Sequence, residues 1–303
     1  MTPAPPRPDG VAPDRDLVHV VCVVFNPGDE LRDFADSLRD ATRRPVELTL
    51  VDNGGPSAVV EELVDAGRAV VVRHPEGNVG YGRAANLGAA RTTAAWLVVA
   101  NPDLRWAPGA LDVLLDAAAA EPEAGSVGPR VLNADGTVYP SARAVPSLKV
   151  GAGHAVFSRV WPGNPWTARY REGDASLHGE RRPVGWLSGA CLLLRPEAFA
   201  QVGGFDERYF MFFEDVDLGE RLGRHGWLNL YVPEAEVTHL QGTSWKHSPA
   251  PMIRAHHASA RRYLFARYDR WYQAPLRLAI AGALYVRQQA EVAASTKERR
   301  QTA

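Results

Sequence analysis

Four short apolar runs, each followed by a stretch with helical periodicity, restrict the first 120 residues to few architectures. Residues 17–25 (LVHVVCVVF), 46–51, 69–73 and 95–100 read as strands. The first is near-continuously apolar and β-branched, the pattern of a strand buried on both faces. Between them Leu31, Phe34, Ala35 and Leu38 recur at helical spacing, and 57–66, 83–91 and 108–120 also read as helices. Strands joined through helices run parallel with right-handed crossovers, so the pattern predicts a doubly wound α/β sheet. Such sheets bind ligands beyond the carboxyl ends of their strands. The polar residues there are Asn26, Asp52 with Asn53, Asn78, and Asn101 with Asp103. Each alone is an ordinary turn former, but four clusters along one edge point to a binding edge.

The second half is more mixed. Residues 126–132 and 137–139, joined by Asn133-Ala134-Asp135-Gly136, read as a hairpin, and 140–183 as a long loop region. A strand is expected over 186–195, a short helix from Pro196 to 202, a helix over 215–225 closed by Gly226, and strands at 227–232 and 236–240. Residues 250–289 read as helical, and 1–16, with five prolines, as a disordered tail. This divides the chain into a core of residues 17–249, with halves 17–120 and 121–249, and a C-terminal arm, 250–303. With 34 basic and 35 acidic residues the net charge is -1, which supplies no global field for nucleic acid. No run is long enough to span a bilayer, and the N-terminus lacks the apolar segment of a secretory signal, so a cytoplasmic location is expected. Cys22 and Cys191 lie in apolar runs with no metal-ligand spacing; they read as reduced core residues, with a disulfide as the alternative.

Five features carry chemistry. Gly80-Tyr81-Gly82-Arg83-Ala84-Ala85 fits the G-x-G-x-x-G/A dinucleotide pattern, yet it follows the third strand at a distance, which argues against a nicotinamide site. Its glycines could still bring backbone close to a phosphate and Arg83 could pair with one, or the segment is a plain loop-to-helix turn. Asn101-Pro102-Asp103 puts one carboxylate at a strand end; a cation bridging a diphosphate needs only one or two, although such an Asp also serves as a helix cap. In Phe212-Phe213-Glu214-Asp215-Val216-Asp217 three carboxylates fall in four residues behind an aromatic run. First-turn acids suit a helix dipole, and adjacent acids in an apolar mouth suit general-base work. His239, at a strand end, is either a structural histidine or a metal or phosphate ligand. Residues 252–289 carry seven Arg against one Asp, interleaved with Tyr263, Phe265, Tyr268, Trp271 and Tyr272. That suits an anionic membrane surface, or a helical arm packed on the domain.

VVFN at 23–26, VDNG at 51–54, NVGYGRAANLG at 78–88, NPD at 101–103, GGFDERYFMFFEDVDLGERLGRHGW at 203–227 and the His239 segment occur in this order. Together, over roughly residues 17–290, they resemble glycosyltransferase family 2, and within it the bacterial rhamnosyltransferases. The resemblance implies a GT-A fold: a mainly parallel twisted sheet flanked by helices, with a nucleotide-sugar half, an acceptor half and, here, a C-terminal helical arm. It implies that Asp52 meets the pyrimidine base, and that Asn26, Asn53, Asn78, Gly80, Gly82, Arg83 and Asn101 line the donor. Asp103 matches the metal-binding member of the family's D-x-D motif and His239 its partner, for Mg²⁺ or Mn²⁺. Asp215 matches the catalytic base, with Glu214 beside it, and Trp186, Ser188 and Gly189 fall in the acceptor stretch. One departure stands out: the first position of D-x-D is Asn101, which leaves the cation one fewer carboxylate.

The implied reaction is one inverting displacement, with dTDP-L-rhamnose as donor and a polyprenyl-diphosphate-linked N-acetylglucosamine as acceptor. The lipid acceptor would give the basic aromatic arm a role at the inner face of the cell membrane, and homo-oligomer formation stays open. Two other classes remain. A nucleotidyltransferase needs a phosphate-gripping Gly/Arg/Lys loop that nothing near Asn26 supplies. A non-catalytic nucleotide-sugar or lipid-binding protein would not require Asp215.

Overall fold

The computed structural model describes residues 14–90, 92–146, 174, 176, 179–240 and 249–302. Its organising element is β1 (Asp14–Val24), which starts three residues before the apolar run and pairs in parallel with two neighbours. On one side Val18–Val24 register with β2 (Val46–Asp52); on the other Val18–Cys22 register with β4 (Ala94–Ala100). Val18, Val20, Val21, Cys22 and Val24 are wholly buried, as the continuous apolar pattern requires. With β3 (Val70–Arg73), β5 (Leu104–Trp106), β6 (Ala124–Asn133), β8 (Arg182–Val184), β10 (Cys191–Leu194) and β11 (Leu228–His239) these form one nine-stranded sheet. Its order is β3-β2-β1-β4-β10-β6-β11-β5, with β8 paired to β11. Strands β1–β4 are mutually parallel where paired, while β10 runs antiparallel between β4 and β6.

Helices cover both faces. Against one pack α1 (Glu30–Ala41), α2 (Ala58–Asp65) and α4 (Ala110–Ala120), through Leu31, Phe34, Val60, Leu63, Leu111 and Leu114. Against the other pack α3 (Tyr81–Ala89), α5 (Pro196–Gln201) and α6 (Glu214–Arg224), through Ala84, Ala85, Ala198, Phe199, Leu218 and Leu222. The arm is a helical hairpin. In it α7 (Pro249–Arg267) and α8 (Ala274–Thr302) pack together across a 3₁₀ turn at Trp271–Gln273.

Several expectations change. The strand expected over 186–195 is two: β9 (Trp186–Leu187) pairs with β7 (Ala142–Arg143) in a separate ribbon, while β10 joins the main sheet. The break at Ser188-Gly189-Ala190 lets the Ser188 N–H reach the Ser141 carbonyl, at 2.7 Å. The strands expected at 227–232 and 236–240 are one, β11, whose register slips between Val232 and Glu236, where Pro233 cannot donate to a ladder. Strand β5, only three residues long, gives too short a pattern to read from sequence. Residues 137–139 make a single bridge, Leu132 to Val138, and no strand. The tail over 1–13 and most of the 140–183 loop (147–173) lie outside the described residues. A Cys22–Cys191 disulfide is excluded: both register with Ala100 from opposite sides, so they stand two strand spacings, about 9.5 Å, apart.

Helix α3 lies unusually close to the sheet. A Cβ at Gly88 would stand 2.5 Å from Val21 Cγ1 and 2.8 Å from Val51 Cγ2, both in the rigid core. Gly88→Ala is therefore expected to destabilise the fold by about 1–3 kcal/mol through overpacking, despite alanine's better helix propensity. Thermal unfolding checks this, and an unchanged or higher Tm would contradict the packing.

Candidate active site

The carboxyl ends of β1, β2 and β4 open onto one edge, and the polar clusters gather there. Asn26, just past β1, has φ of 48°, a left-handed conformation that Asn tolerates better than most residues. At the end of β2 the Asp52 side chain is fully buried. Its Oδ1 accepts from the N–H groups of Gly54 (2.9 Å) and Gly55 (3.0 Å), and its Oδ2 from Arg73 Nε (3.1 Å). Asp52 thus shapes its own loop through Oδ1, while the Arg73 side chain covers Oδ2. Arg73, at the end of β3 and in register with Asp52, is a neighbour that the sequence pattern did not single out.

The next cluster is built around Gly80. Asn53 Nδ2 donates to the Gly80 carbonyl (3.1 Å), and Asn78 Oδ1 accepts from the Gly80 N–H (3.0 Å). Gly80 has φ of 88°, and a Cβ there would fall 2.3 Å from the Phe210 carbonyl oxygen. Tyr81 N–H donates to that same oxygen at 2.9 Å. At Gly82 a Cβ would stand 2.9 Å from that of Phe205 and 3.5 Å from that of Glu214. Both glycines therefore let the start of α3 close against residues 205–214, a packing role not expected from the motif. Arg83 is partly exposed and paired with Glu76 at 3.1 Å and Glu207 at 3.8 Å.

Pairing of β5 with β11 sets Leu104 opposite His239, and Leu240 N–H donates to the Asp103 carbonyl at 2.9 Å. His239 Nε2 thereby stands 3.2 Å from Asp103 Oδ1. Two neighbouring ligands of an octahedral Mg²⁺ stand about 3 Å apart, so this pair fits a divalent cation. Among the described residues no third Asp, Glu, His or Cys joins them, and a bound diphosphate would have to supply the remaining oxygens. Asn101, the other end of the motif, gives its backbone N–H to the Ala190 carbonyl at 2.9 Å.

The acid cluster opens α6. Phe212 and Phe213 both have φ of 66°, and Phe213 caps the helix without a side-chain acceptor. Asp215 Oδ2 accepts from the Gly189 N–H (2.9 Å) and Oδ1 from the Val216 N–H (2.8 Å). The Gly189 carbonyl in turn accepts from the Tyr81 hydroxyl (2.6 Å), so one residue, through its two flanking peptide groups, joins the start of α3 to the acid cluster. Burial raises the Asp215 pKa, and the two backbone donors work against that rise. Glu214 is only 6% exposed and its Oε2 has no hydrogen-bond partner. Burial first, then the neighbouring Asp215 charge, pushes its carboxyl well above the usual range. Asp217 faces elsewhere, in a 2.6 Å ion pair with Arg221.

Of the acceptor-side residues, Ser188 and Gly189 adjoin Asp215. Trp186 packs on the next turn of α6, where a Cβ at Gly219 would lie 2.6 Å from its own, and donates from Nε1 to the Ala144 carbonyl at 3.1 Å. Tyr139 was unforeseen. Its ring meets that of His239 edge-on at 5.8 Å, its hydroxyl bonds the Ser188 side chain, and burial, then the Asp215 charge, raises its pKa. It therefore stands between the Asp103–His239 pair and Asp215; a lone aromatic after a turn gave no signal of this.

The Glycosyl transferase family 2 model matches residues 19–178. N-acetylglucosaminyl-diphospho-decaprenol L-rhamnosyltransferase of Mycobacterium tuberculosis is 47% identical over 94% of this chain and 96% of its own length. O-antigen biosynthesis protein RfbC of Myxococcus xanthus is 32% identical over 74% of this chain but only 17% of its own. Among solved structures, GalNAc-T7 with UDP, GalNAc and Mn²⁺ superposes with a TM-score of 0.56 at 19% identity, covering 75% of this chain and 44% of that one. S. aureus TarS 1-349 does so with 0.50 at 14% identity, covering 80% and 64%. These likenesses show a GT-A-type fold. Matched by the family model over more than half its length and by a near-full-length relative, the chain belongs to glycosyltransferase family 2.

Proposed function

We propose that the chain transfers L-rhamnose from dTDP-L-rhamnose, with inversion, to an N-acetylglucosamine carried on polyprenyl diphosphate. The observation that carries this reading is the Asp215 carboxylate, held part-buried where the donor-side Tyr81 and the acceptor-side Ser188-Gly189 segment meet. The 47% identical relative supplies the sugar and the acceptor by analogy. In one step the acceptor hydroxyl attacks the anomeric carbon, the bond to the nucleotide diphosphate breaks, and Asp215 takes the hydroxyl proton. Gly189 N–H and Val216 N–H fix the orientation of that carboxylate and leave each oxygen a further lone pair. Both Asp215 oxygens accept from backbone N–H groups, whereas Glu214 Oε2 has no hydrogen-bond partner, so the backbone favours the charged form at Asp215 and we assign it the base role. Asp103 and His239 would hold a divalent cation together with the diphosphate oxygens. Bound there, it neutralises charge on the leaving group.

The arm supplies the link to a lipid-borne acceptor. At its tip Trp271 is 85% exposed, with Tyr272, Leu278, Tyr285 and Val286 also open to solvent. Among the described residues no helix is long and apolar enough to cross a membrane. We read the hairpin as a peripheral anchor on the anionic inner face of the cell membrane.

Product analysis with dTDP-L-rhamnose and a polyprenyl-diphosphate N-acetylglucosamine acceptor tests the reaction; transfer from another nucleotide sugar alone would overturn the donor assignment. Asp215→Asn should keep donor affinity and lower turnover by about 10²–10⁴-fold, whereas normal turnover would remove it from the mechanism. Turnover should fall on the acid side with a midpoint above the ordinary carboxylate value of about 4. Stability runs the same pair in the opposite sense. Both carboxyls hold protons more tightly folded than unfolded, so the folded chain binds more protons above about pH 4 and this contribution falls as pH rises. Glu214→Gln removes the Glu214 share. It should raise Tm relative to the parent at pH 8 and make little difference below the ordinary carboxylate range, with a smaller loss of activity than Asp215→Asn.

Asp103→Ala should abolish the dependence of donor binding on Mg²⁺ or Mn²⁺ and weaken binding itself, with His239→Ala milder. Calorimetry with and without chelator checks this, and chelator-insensitive binding by the parent protein would refute the cation assignment. Binding to phosphatidylglycerol vesicles should weaken as salt screens the arginines, and should fall further in a Trp271→Ala, Tyr272→Ala double variant. Flotation assays with neutral vesicles as control read both effects.

A further inference from the structure

The turn that aims the proposed base is held from outside its own segment. Phe212 and Phe213 occupy a left-handed region that bulky L-residues populate rarely, and such a conformation persists only where its surroundings over-determine it. Nothing local does so, because α6 starts without a side-chain cap. On one side Phe210 accepts the Tyr81 N–H at 2.9 Å. On the other lies one face of α7, with His256, Ser259 and Tyr263 at helical spacing. Ser259 Oγ donates to the Met211 carbonyl at 2.7 Å. The His256 ring meets Phe212 and Phe213, each at 5.5 Å, and the Tyr263 ring meets Phe213 at 5.5 Å. The Tyr263 hydroxyl then donates to the Glu220 carboxylate on α6, which also pairs with Arg267 at 2.7 Å. The arm therefore grips both the turn and the helix that carry Asp215. Ser259 and Tyr263 are buried at this contact, at 5% and 3% exposure.

We propose that α7 positions the catalytic carboxylate, with Ser259 and Tyr263 as positioning residues that act through the Met211–Phe213 turn and Glu220. The proposal rests on the reading of Asp215 as the base. It assigns the arm a second role beside membrane docking: the element that meets the lipid surface also sets the geometry of the reaction. Loosening the grip should misplace Asp215 relative to the acceptor hydroxyl while leaving the donor residues at the ends of β1, β2 and β4 in place, because Ser259 and Tyr263 bond to Met211 and Glu220 and not to those strand ends. A displacement of about 1 Å at a reacting group costs up to about 10²-fold in rate.

The test uses the full chain and separates turnover from binding. Ser259→Ala and Tyr263→Phe should each lower kcat about 10- to 100-fold, with the donor KM and the calorimetric affinity for dTDP within about twofold of the parent. Ser295→Ala, which removes a comparable hydroxyl bonded within α8 to the Val292 carbonyl, should leave kcat unchanged. Tyr263→Phe keeps its ring on Phe213, so it carries the test if Ser259→Ala does not fold. The proposal is overturned if both variants keep parental kcat, or if kcat falls only in step with donor affinity. Asp215→Asn assayed alongside separates the two layers. An inactive Asp215→Asn with fully active arm variants overturns the positioning role alone, whereas an active Asp215→Asn takes the base assignment down with it.

Discussion

Strand β1 is hydrogen-bonded along both edges and buried on both faces, and the rest of the molecule is arranged by that constraint. A strand without a solvent face must be covered on both sides, and the helical crossovers that cover β1 join it to parallel neighbours. The crossovers then return each chain segment to the same end of the sheet. This brings Asn26, Asp52, Asn53, Asn101 and Asp103 to one edge although they span more than seventy residues. The antiparallel insertion of β10 between β4 and β6 extends the same logic into the second half. It carries the Ser188-Gly189-Ala190 break to the end of β4, where Asn101 binds Ala190 and Gly189 binds Asp215.

The strand–helix alternation, and with it the fold class, was legible because apolar periodicity is a local signal that survives without tertiary information. Asp103, His239, Glu214 and Asp215 were legible for a different reason: each lies at an element end in a distinctive short string. What stayed hidden depended on contacts between distant segments. Tyr139 gains its place only when the turn after β6 meets Ser188 and His239. Arg73 matters because β3 lies beside β2 in a particular register. The split of the expected 186–195 strand follows from two different partners, β7 and β4, competing for one apolar run. Gly80 and Gly82 show the converse. Their spacing suggested approach to a phosphate, yet the atoms that a Cβ would strike belong to Phe205 and Phe210.

Unfavourable terms are concentrated at one place. Two consecutive left-handed phenylalanines, a buried carboxyl with an unpaired oxygen at Glu214 and a second, part-buried carboxyl at Asp215 occupy four residues. Strained backbone costs about 1–3 kcal/mol per residue, and buried acids are kept only by shifting toward their neutral forms. A sequence selected for stability alone would place glycine in the turn and a capping Ser or Asp before the helix. Aromatic side chains do what those residues cannot: they give α7 a surface to grip, through His256 and Tyr263. The turn is thus held by packing across more than forty residues of sequence. Packing of that kind ties the orientation of Asp215 to the seating of the arm, whereas a local cap would fix the helix start independently of it. The strain at 212–213 and the arm that contacts it are therefore best understood as one device, in which local instability makes the orientation of the Asp215 carboxyl depend on a distant element.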